Sequence, residues 1–324
     1  MIWLSWRQFR AQAAVVGLFL AAIAVTLVLA RVHLSQPAAG RLGNIFGGDS
    51  WHVVQLLGTA LVAVPALLGA FCGAPLIARE LDAGTYQLAW TQSVTRTRWL
   101  AVRMCVIGLV SVAATEIFAL LLTWAAQPGD AINRNLFGIG VFGERGIVPA
   151  GYAAFAFALG VAAGVTIRRT IPAIALTLGV FTGFRMLFSV LIRPRLIPPV
   201  RAVSAVNVRA ATIEIQNAPG STGAHAVTVI PYAARPGDWV YSTQLSDAAG
   251  HPVSEHLNPP AACVHPQHFG SCVAALSRLH LHQLVSYQPA SRYWAFQGLE
   301  TAIFTALALA LAGLSFWWVR RRLG

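Results

Sequence analysis

Apolar positions along this chain fall into unbroken blocks of about 20 residues instead of recurring at the period of a surface helix or a strand. Between residues 11 and 30, Gln12 is the only strongly polar side chain, and a block of that length crosses a hydrocarbon core of about 30 Å. The pattern predicts six membrane spans, at residues 11–30, 51–78, 101–125, 149–166, 171–192 and 293–319. Residues 1–10 place Trp3, Leu4, Trp6 and Phe9 at helical spacing among Arg7 and Arg10, which suits a short helix in the headgroup region or a plain aromatic and basic flank. A signal peptide is the competing reading of the first block. The block is too long for one and no small-residue cleavage site follows it, so an uncleaved span is expected.

Polar stretches divide the blocks. A Gly-rich loop covers 31–50, a polar insert runs from Arg79 to Arg103, a turn-rich loop covers 127–148, and Ile167 to Thr170 makes a tight link. Pro65 and Pro75 predict a kink in the long second span, and Pro172 sits where the first turn of a helix tolerates proline. Residues 193–292 differ in composition, being rich in Pro, His, Ser and Asn, with short β-type runs at 226–230 and 239–244. The expected fold is an all-α polytopic membrane protein, with six transmembrane helices and a small loop and β-containing extracytoplasmic domain between helices 5 and 6. The expected divisions are 1–192 (interfacial helix and helices 1–5, with a coupling segment at 79–100), 193–292 (the outer domain) and 293–324 (helix 6 and a basic tail).

Composition agrees: 56% of the 324 residues are hydrophobic and 10% charged, far below the charged share of a soluble domain. The net charge is +12, but the arginines sit at the ends of apolar blocks and not on one amphipathic face, which argues against nucleic acid as a partner. Arg7, Arg10, Arg79, Arg96, Arg98, Arg103, Arg168, Arg169, Arg320, Arg321 and Arg322 flank one side of the six spans. Only Arg31, Arg41, Arg134 and Arg145 lie in the short loops opposite. The positive-inside rule then puts both termini and the Arg79 insert in the cytoplasm of a cell membrane. All 23 basic residues are Arg, so the chain has no Lys for a standard P-loop, and an ATP-consuming mechanism needs another polypeptide to bind the nucleotide.

Candidate chemistry is sparse. Cys263 and Cys272 lie in the outer segment, where an oxidising compartment favours a disulfide contributing about 2 to 3 kcal/mol. His265 and His268 between them, with His280 and His282 nearby, give an alternative zinc reading, but the spacing matches no standard site and no metal is expected. Cys72 and Cys105 fall within spans. Two charged residues also fall inside the predicted spans, Glu116 and Arg185. They are candidates for a polar translocation path or gate, or for a packing role alone. Small residues four apart, Gly69 and Gly73, Gly160 and Gly164, Gly179 and Gly183, predict close helix approach within the subunit. No catalytic motif emerges, so the chain is expected not to be an enzyme.

The insert carries the sharpest signal. Arg79 to Leu81 continue the second helix, Gly84 and Thr85 end or bend it, and Leu88, Trp90, Val94 and Trp99 stand as apolar anchors among polar neighbours. A chain that only needed to turn would use two to eight residues, about, so docking to a partner is expected, with a helix resting on lipid as the plainer alternative. These residues resemble the permease subunits of ATP-binding-cassette (ABC) transporters of type 2, in the branch where R-E-x-x-x-G-T-x-x-L-A-W-T-Q-S-V-x-R-x-R-W-L follows the second span. Trp3, Trp6, Arg7, Gln8 and Arg10, and the run from Tyr287 to Gln297, extend the likeness.

The resemblance implies a six-span permease with a coupling helix that seats Arg79, Glu80, Gly84, Thr85, Trp90, Thr91 and Gln92 against a separate ABC ATPase subunit. ATP and Mg would be held by that partner, with no cofactor in this chain. It also implies a second permease copy, most simply a homodimer, and export across a bacterial plasma membrane. The substrate is expected to be hydrophobic or amphipathic from the scarcity of charge in the spans, which suits drugs, lipids and peptides alike. The readings from other classes are a membrane-anchored sensor or metal-dependent enzyme domain, and a mechanical device that moves its outer domain.

Overall fold

The structure, a computed structural model, describes residues 2–35, 49–82, 96–133, 135–206, 212–217, 225–230, 237–247, 249, 251, 256–257 and 269–322. They group into two units, Met1–Leu196 with Trp294–Gly324, and Ile197–Tyr293.

The first unit is a bundle in which six helices are long and apolar enough to cross a membrane. The fourth span, Val148–Ile167, is its centre, with 72% of its length buried against 44% or less for each of the others. Such a helix can be apolar on every side because protein, not solvent, meets every side. It touches the second, third and fifth spans.

Three expectations change. The first span is a single helix, Ile2–Ser35, with no break after Arg10, so the aromatic and basic flank is continuous with the crossing segment. The second span changes helix type between its two prolines. Asp49–Leu68 is α-helical through Pro65, Gly69–Gly73 forms a π-helical turn, and Pro75–Asp82 resumes the α-helix. Pro75 offers no N–H and its ring crowds the preceding turn; the wider π turn, closed by Ala74 N–H to Gly69 C=O at 2.9 Å, makes room for it.

The third span is the largest correction. The loop expected from residue 127 begins only after Asn133, because the helix Arg96–Asn133 runs straight through Pro128. Proline there frees the carbonyl four residues back, that of Trp124, and the Arg31 guanidinium at the end of the first span donates to it. Arg31 also lies 4.3 Å over the Trp124 ring and donates to Gln127 Oε1 at 3.2 Å. An interhelical donor thus replaces the lost bond, and the helix continues.

The fifth span is Thr170–Leu187, followed by a π turn, Phe188–Ile192, and a 3-10 turn, Arg193–Arg195. The link before it is as tight as expected, with Arg168 in the left-handed region at φ 60°. The sixth span is Tyr293–Arg322. Phe304 on that helix is ringed by aromatics of the fourth and fifth spans: Tyr152 at 4.7 Å, Phe188 at 5.0 Å, Phe155 at 5.4 Å and Phe184 at 5.6 Å between centroids.

The second unit holds two antiparallel three-stranded sheets. In one, β6 (His282–Gln288) lies between β1 (Val200–Ala205) and β4 (Trp239–Ser246); in the other, β3 (His225–Ile230) lies between β2 (Thr212–Asn217) and β5 (His256–Leu257). The two sequence-predicted strands correspond to β3 and β4. The ends of the unit are tied together: Gln288 Nε2 donates to Ile197 C=O at 2.6 Å, and Arg292 Nη1 to Pro198 C=O at 2.9 Å. After β4, Asp247 accepts from the N–H groups of His251 at 2.8 Å and Ala249 at 2.9 Å, which hold its carboxyl below the usual range.

Candidate functional site

The six helices alternate in direction, so the bundle has two ends. One carries the start of the fourth span and the junctions with the second unit. The other carries the Arg79 insert.

At the first end, the fifth span closes on a buried ion pair. Arg193, in the 3-10 turn, donates from Nε to Glu300 Oε2 at 2.7 Å and from Nη2 to Glu300 Oε1 at 2.9 Å. The side chains are 1% and 0% exposed. This two-pronged geometry is what a planar guanidinium provides and a Lys ammonium cannot. Tyr152, from the fourth span, completes the set: its hydroxyl donates to Glu300 Oε1 and accepts from Arg193 Nη2 at 3.2 Å. Phe142 lies under the Arg193 guanidinium, 4.2 Å from its centre. Three spans are thereby joined by charge-assisted bonds in a region of low dielectric.

Arg193 and Glu300 add to the two charged residues expected within the spans, Glu116 and Arg185, which corrects that expectation. Glu300 is the only acidic residue in the block 293–319, and that was the available signal. Arg193 lies one residue beyond the apolar block 171–192, and the π and 3-10 turns that draw it inward have no sequence signature.

The loop between the third and fourth spans is fixed to the same place. Gln297, fully buried, accepts on Oε1 from the N–H groups of Ile147 at 3.0 Å and Val148 at 3.1 Å. Its amide donates to the carbonyls of Phe142 and Arg145, each at 3.1 Å. The first helical N–H groups of the fourth span, which no turn of the helix can satisfy, are in this way bonded from the sixth. Gly146, at φ +68°, lies against Gln297, where a Cβ would stand 2.7 Å from Oε1. Arg145 pairs with Asp130 at 3.0 Å and with Glu144 at 3.7 Å. Burial holds the Glu144 carboxyl above the usual range, against the opposing pull of Arg145 and then Arg185.

The two charged residues expected to mark a path are not partners of each other. Glu116 faces the backbone of Ala150 in the first turn of the fourth span, where the helix dipole favours an anion, and its Oε2 is buried without a hydrogen-bond partner. Arg185 lies between the second and fifth spans. It donates to Val62 C=O at 2.7 Å and stacks 4.6 Å over the Tyr152 ring.

Toward the opposite end, the second and fourth spans meet along a seam without charge. Gly69 and Gly73 of the π turn meet Gly160 and Gly164 of the fourth span backbone to backbone. A Cβ on Gly73 would stand 2.6 Å from Phe157 C=O, and one on Gly160 would run into Gly69 C=O. Two of the three glycine pairs therefore do pack within the subunit, as their spacing predicted. Gly179 and Gly183 have nothing within 4 Å. Around this seam Ile77, Leu100, Met104, Phe157, Val161, Val165 and Val319 form an apolar cluster. Arg79 is exposed at the end of the second span and Glu80 follows it in the same helix. Gly84, Thr85, Trp90, Thr91 and Gln92 lie outside the described residues.

In the second unit, Cys272 is buried in the helix Phe269–Ser277, while Cys263, His265 and His268 lie outside the described residues. Cys72 and Cys105 carry free thiols. Among the described residues no group of three or more His, Cys, Asp or Glu is placed to hold a metal.

A multi-pass bundle with a charged clamp at one end and an apolar seam leading into a polar insert at the other suits a transport subunit better than a catalyst. Residues 11–193 match the family described as ABC-2 membrane transporter related. No curated protein and no solved structure matches the chain. The family match covers more than half of the 324 residues, including five of the six spans and the insert, and the chain belongs to the ABC-2 membrane transporter related family.

Proposed function

We propose that this protein is the transmembrane subunit of an ATP-driven exporter, worked by a separate ABC ATPase that docks on the insert between the second and third spans. The observation that carries the reading is the family match, which runs through that insert. The absence of Lys supports it, since nucleotide must then be bound elsewhere. ATP and Mg belong to the partner. Closure of the ATPase pushes on Arg79, Glu80, Gly84, Thr85, Trp90, Thr91 and Gln92 and moves the second span, which carries the π turn.

The Arg count supports an orientation with both termini and the insert cytoplasmic in a bacterial membrane, the second unit outside, and a Cys263–Cys272 disulfide stapling that unit. Two copies of the chain complete the pathway for a hydrophobic or amphipathic cargo. Co-expression with the cognate ATPase, followed by affinity purification of this chain, tests the docking. Wild type is expected to retain the ATPase and stimulate it, while Glu80→Ala and Gly84→Pro, still inserted in the membrane, retain or stimulate it less. Full stimulation by both variants would refute the docking role.

A further inference from the structure

Arginine is used in two ways in the bundle. Toward the clamp, Arg145 and Arg193 are buried against carboxylates. At the insert end Arg79, Arg98, Arg168, Arg169, Arg320 and Arg321 are all exposed. They converge there because Ile77, Leu100, Val165 and Val319 belong to one buried cluster. Arg79, Arg98, Arg168 and Arg320 each stand within three residues of one of its members.

The sixth span approaches this end along an exposed stripe. Leu309, Gly313, Leu314, Trp317, Arg320 and Arg321 are exposed and recur at steps of three and four, which places them on one side of the helix. Leu309 is 69% exposed, and Leu314 and Trp317 44% each. A Cβ on Gly313 would meet nothing within 4 Å. The stripe from Leu309 to Arg321 is about 18 Å long at 1.5 Å per residue, more than the roughly 15 Å of hydrocarbon in one leaflet. It therefore runs from inside the apolar layer to the headgroups. Trp317 is of the type that settles at that boundary, and the Arg321 guanidinium stacks 5.5 Å from the centre of its ring. Stacking engages the face of the guanidinium, while the N–H fork that recognises phosphate lies in its plane.

The order along the stripe, apolar residues, then tryptophan, then arginine, matches one kind of occupant. A soluble anion or an acidic protein face would use the arginines and leave Leu309 and Leu314 without a role. A second copy packed on this stripe about an axis normal to the membrane would set Arg320 and Arg321 against their own counterparts, like charge on like.

We propose that the exposed stripe of the sixth span binds an anionic phospholipid. Arg320 and Arg321 hold the phosphate by charge-assisted bonds, Trp317 meets the glycerol ester region, and an acyl chain lies along Leu314, Gly313 and Leu309. Arg168 and Arg169, at the same end, add to the attraction for a negative headgroup. The site is independent of the transport reading and of the cargo.

The test is native mass spectrometry of the full chain in detergent, offered equal amounts of phosphatidylglycerol and phosphatidylcholine with identical acyl chains. Wild type is expected to retain phosphatidylglycerol roughly tenfold better, and an excess of glycerol phosphate is expected not to displace it. Arg320→Gln with Arg321→Gln abolishes the preference. Arg320→Lys with Arg321→Lys keeps part of it, since the charge stays and the fork is lost. Arg195→Gln with Arg201→Gln removes the same charge from exposed positions elsewhere and leaves the preference intact. Equal retention of the two lipids by wild type overturns the proposal; if the glutamine pair then loses a co-expressed ATPase, the arginines serve a protein partner instead. Displacement by glycerol phosphate reduces the site to one for a soluble anion and also overturns it. So does an equal loss in the Arg195 and Arg201 pair, which would trace the preference to net charge. The wild-type arms decide the matter even where a variant fails to fold.

Discussion

The two ends of the bundle are held by opposite physics. At the end where the fifth span stops and the sixth begins, Arg193, Glu300, Tyr152 and Gln297 join the fourth, fifth and sixth spans through directional bonds that have one geometry. At the insert end, Gly69, Gly73, Gly160 and Gly164 bring two backbones together with only dispersion between them. A charged clamp resists displacement because a separated partner is left buried and uncompensated. An apolar seam has no such penalty for a small slide, provided the backbones stay close. On the function proposed above, the clamped end is the fixed one and the seam end, adjoining the insert, the movable one.

The clamp is the place to break the comparison most severely. Arg193→Ala or Glu300→Ala strands the other charge and is expected to cost about 3–5 kcal/mol, seen as a large fall in melting temperature in detergent. The double variant Arg193→Met with Glu300→Met removes both charges and recovers most of that loss; a double variant as unstable as the singles would show that the pair does not act as a unit. At the seam, Gly160→Ala sets a Cβ against the Gly69 carbonyl and is expected to cost about 1–3 kcal/mol. Gly179→Ala, with open space around it, supplies the control and leaves the melting temperature unchanged or raised.

A smaller effect is expected from Arg31→Ala, which strips the Trp124 carbonyl of its replacement donor, about 1–2 kcal/mol. Pro128→Ala restores the helical N–H, so in that background Arg31→Ala should cost less. Additive losses would contradict the account of why the third span runs through its proline.

The smallest effect concerns Glu144. Burial raises its carboxyl in the folded protein above the value in the unfolded chain, so its contribution to stability is fully present below the unfolded value and is lost as pH rises through the raised one. Stability of wild type should therefore fall as pH rises from the ordinary carboxylate range through the raised value, by an increment that Glu144→Gln lacks. An identical pH dependence in both proteins would remove Glu144 from the account.

Much of this architecture was legible because membrane spans are written in length and polarity. The glycine seam was visible as four-residue spacings, since only small residues permit such approach. The clamp was missed for two reasons. Glu300 is a lone acid within an otherwise apolar block, and Arg193 lies just past the end of one, where π and 3-10 turns carry the chain inward without a residue-level signal. The third span runs on into the loop expected over 127–148 because the donor that compensates Pro128, Arg31, is 97 positions away in sequence. Long-range repair of a local defect is not encoded locally.

The central claim is that the insert end moves under the ATPase while the clamped end stays fixed. It is tested most directly by distances between spin labels in the reconstituted complex, after Cys72→Ser and Cys105→Ser. One pair, at Arg79 and Arg320, reports the insert end, and another, at Ile132 and Leu191, reports the clamped end, all four sites being exposed. Trapping the ATPase with ATP and vanadate is predicted to shift the distance distribution of the first pair and leave that of the second unchanged. A shift confined to the second pair, with the first unmoved, would contradict the account.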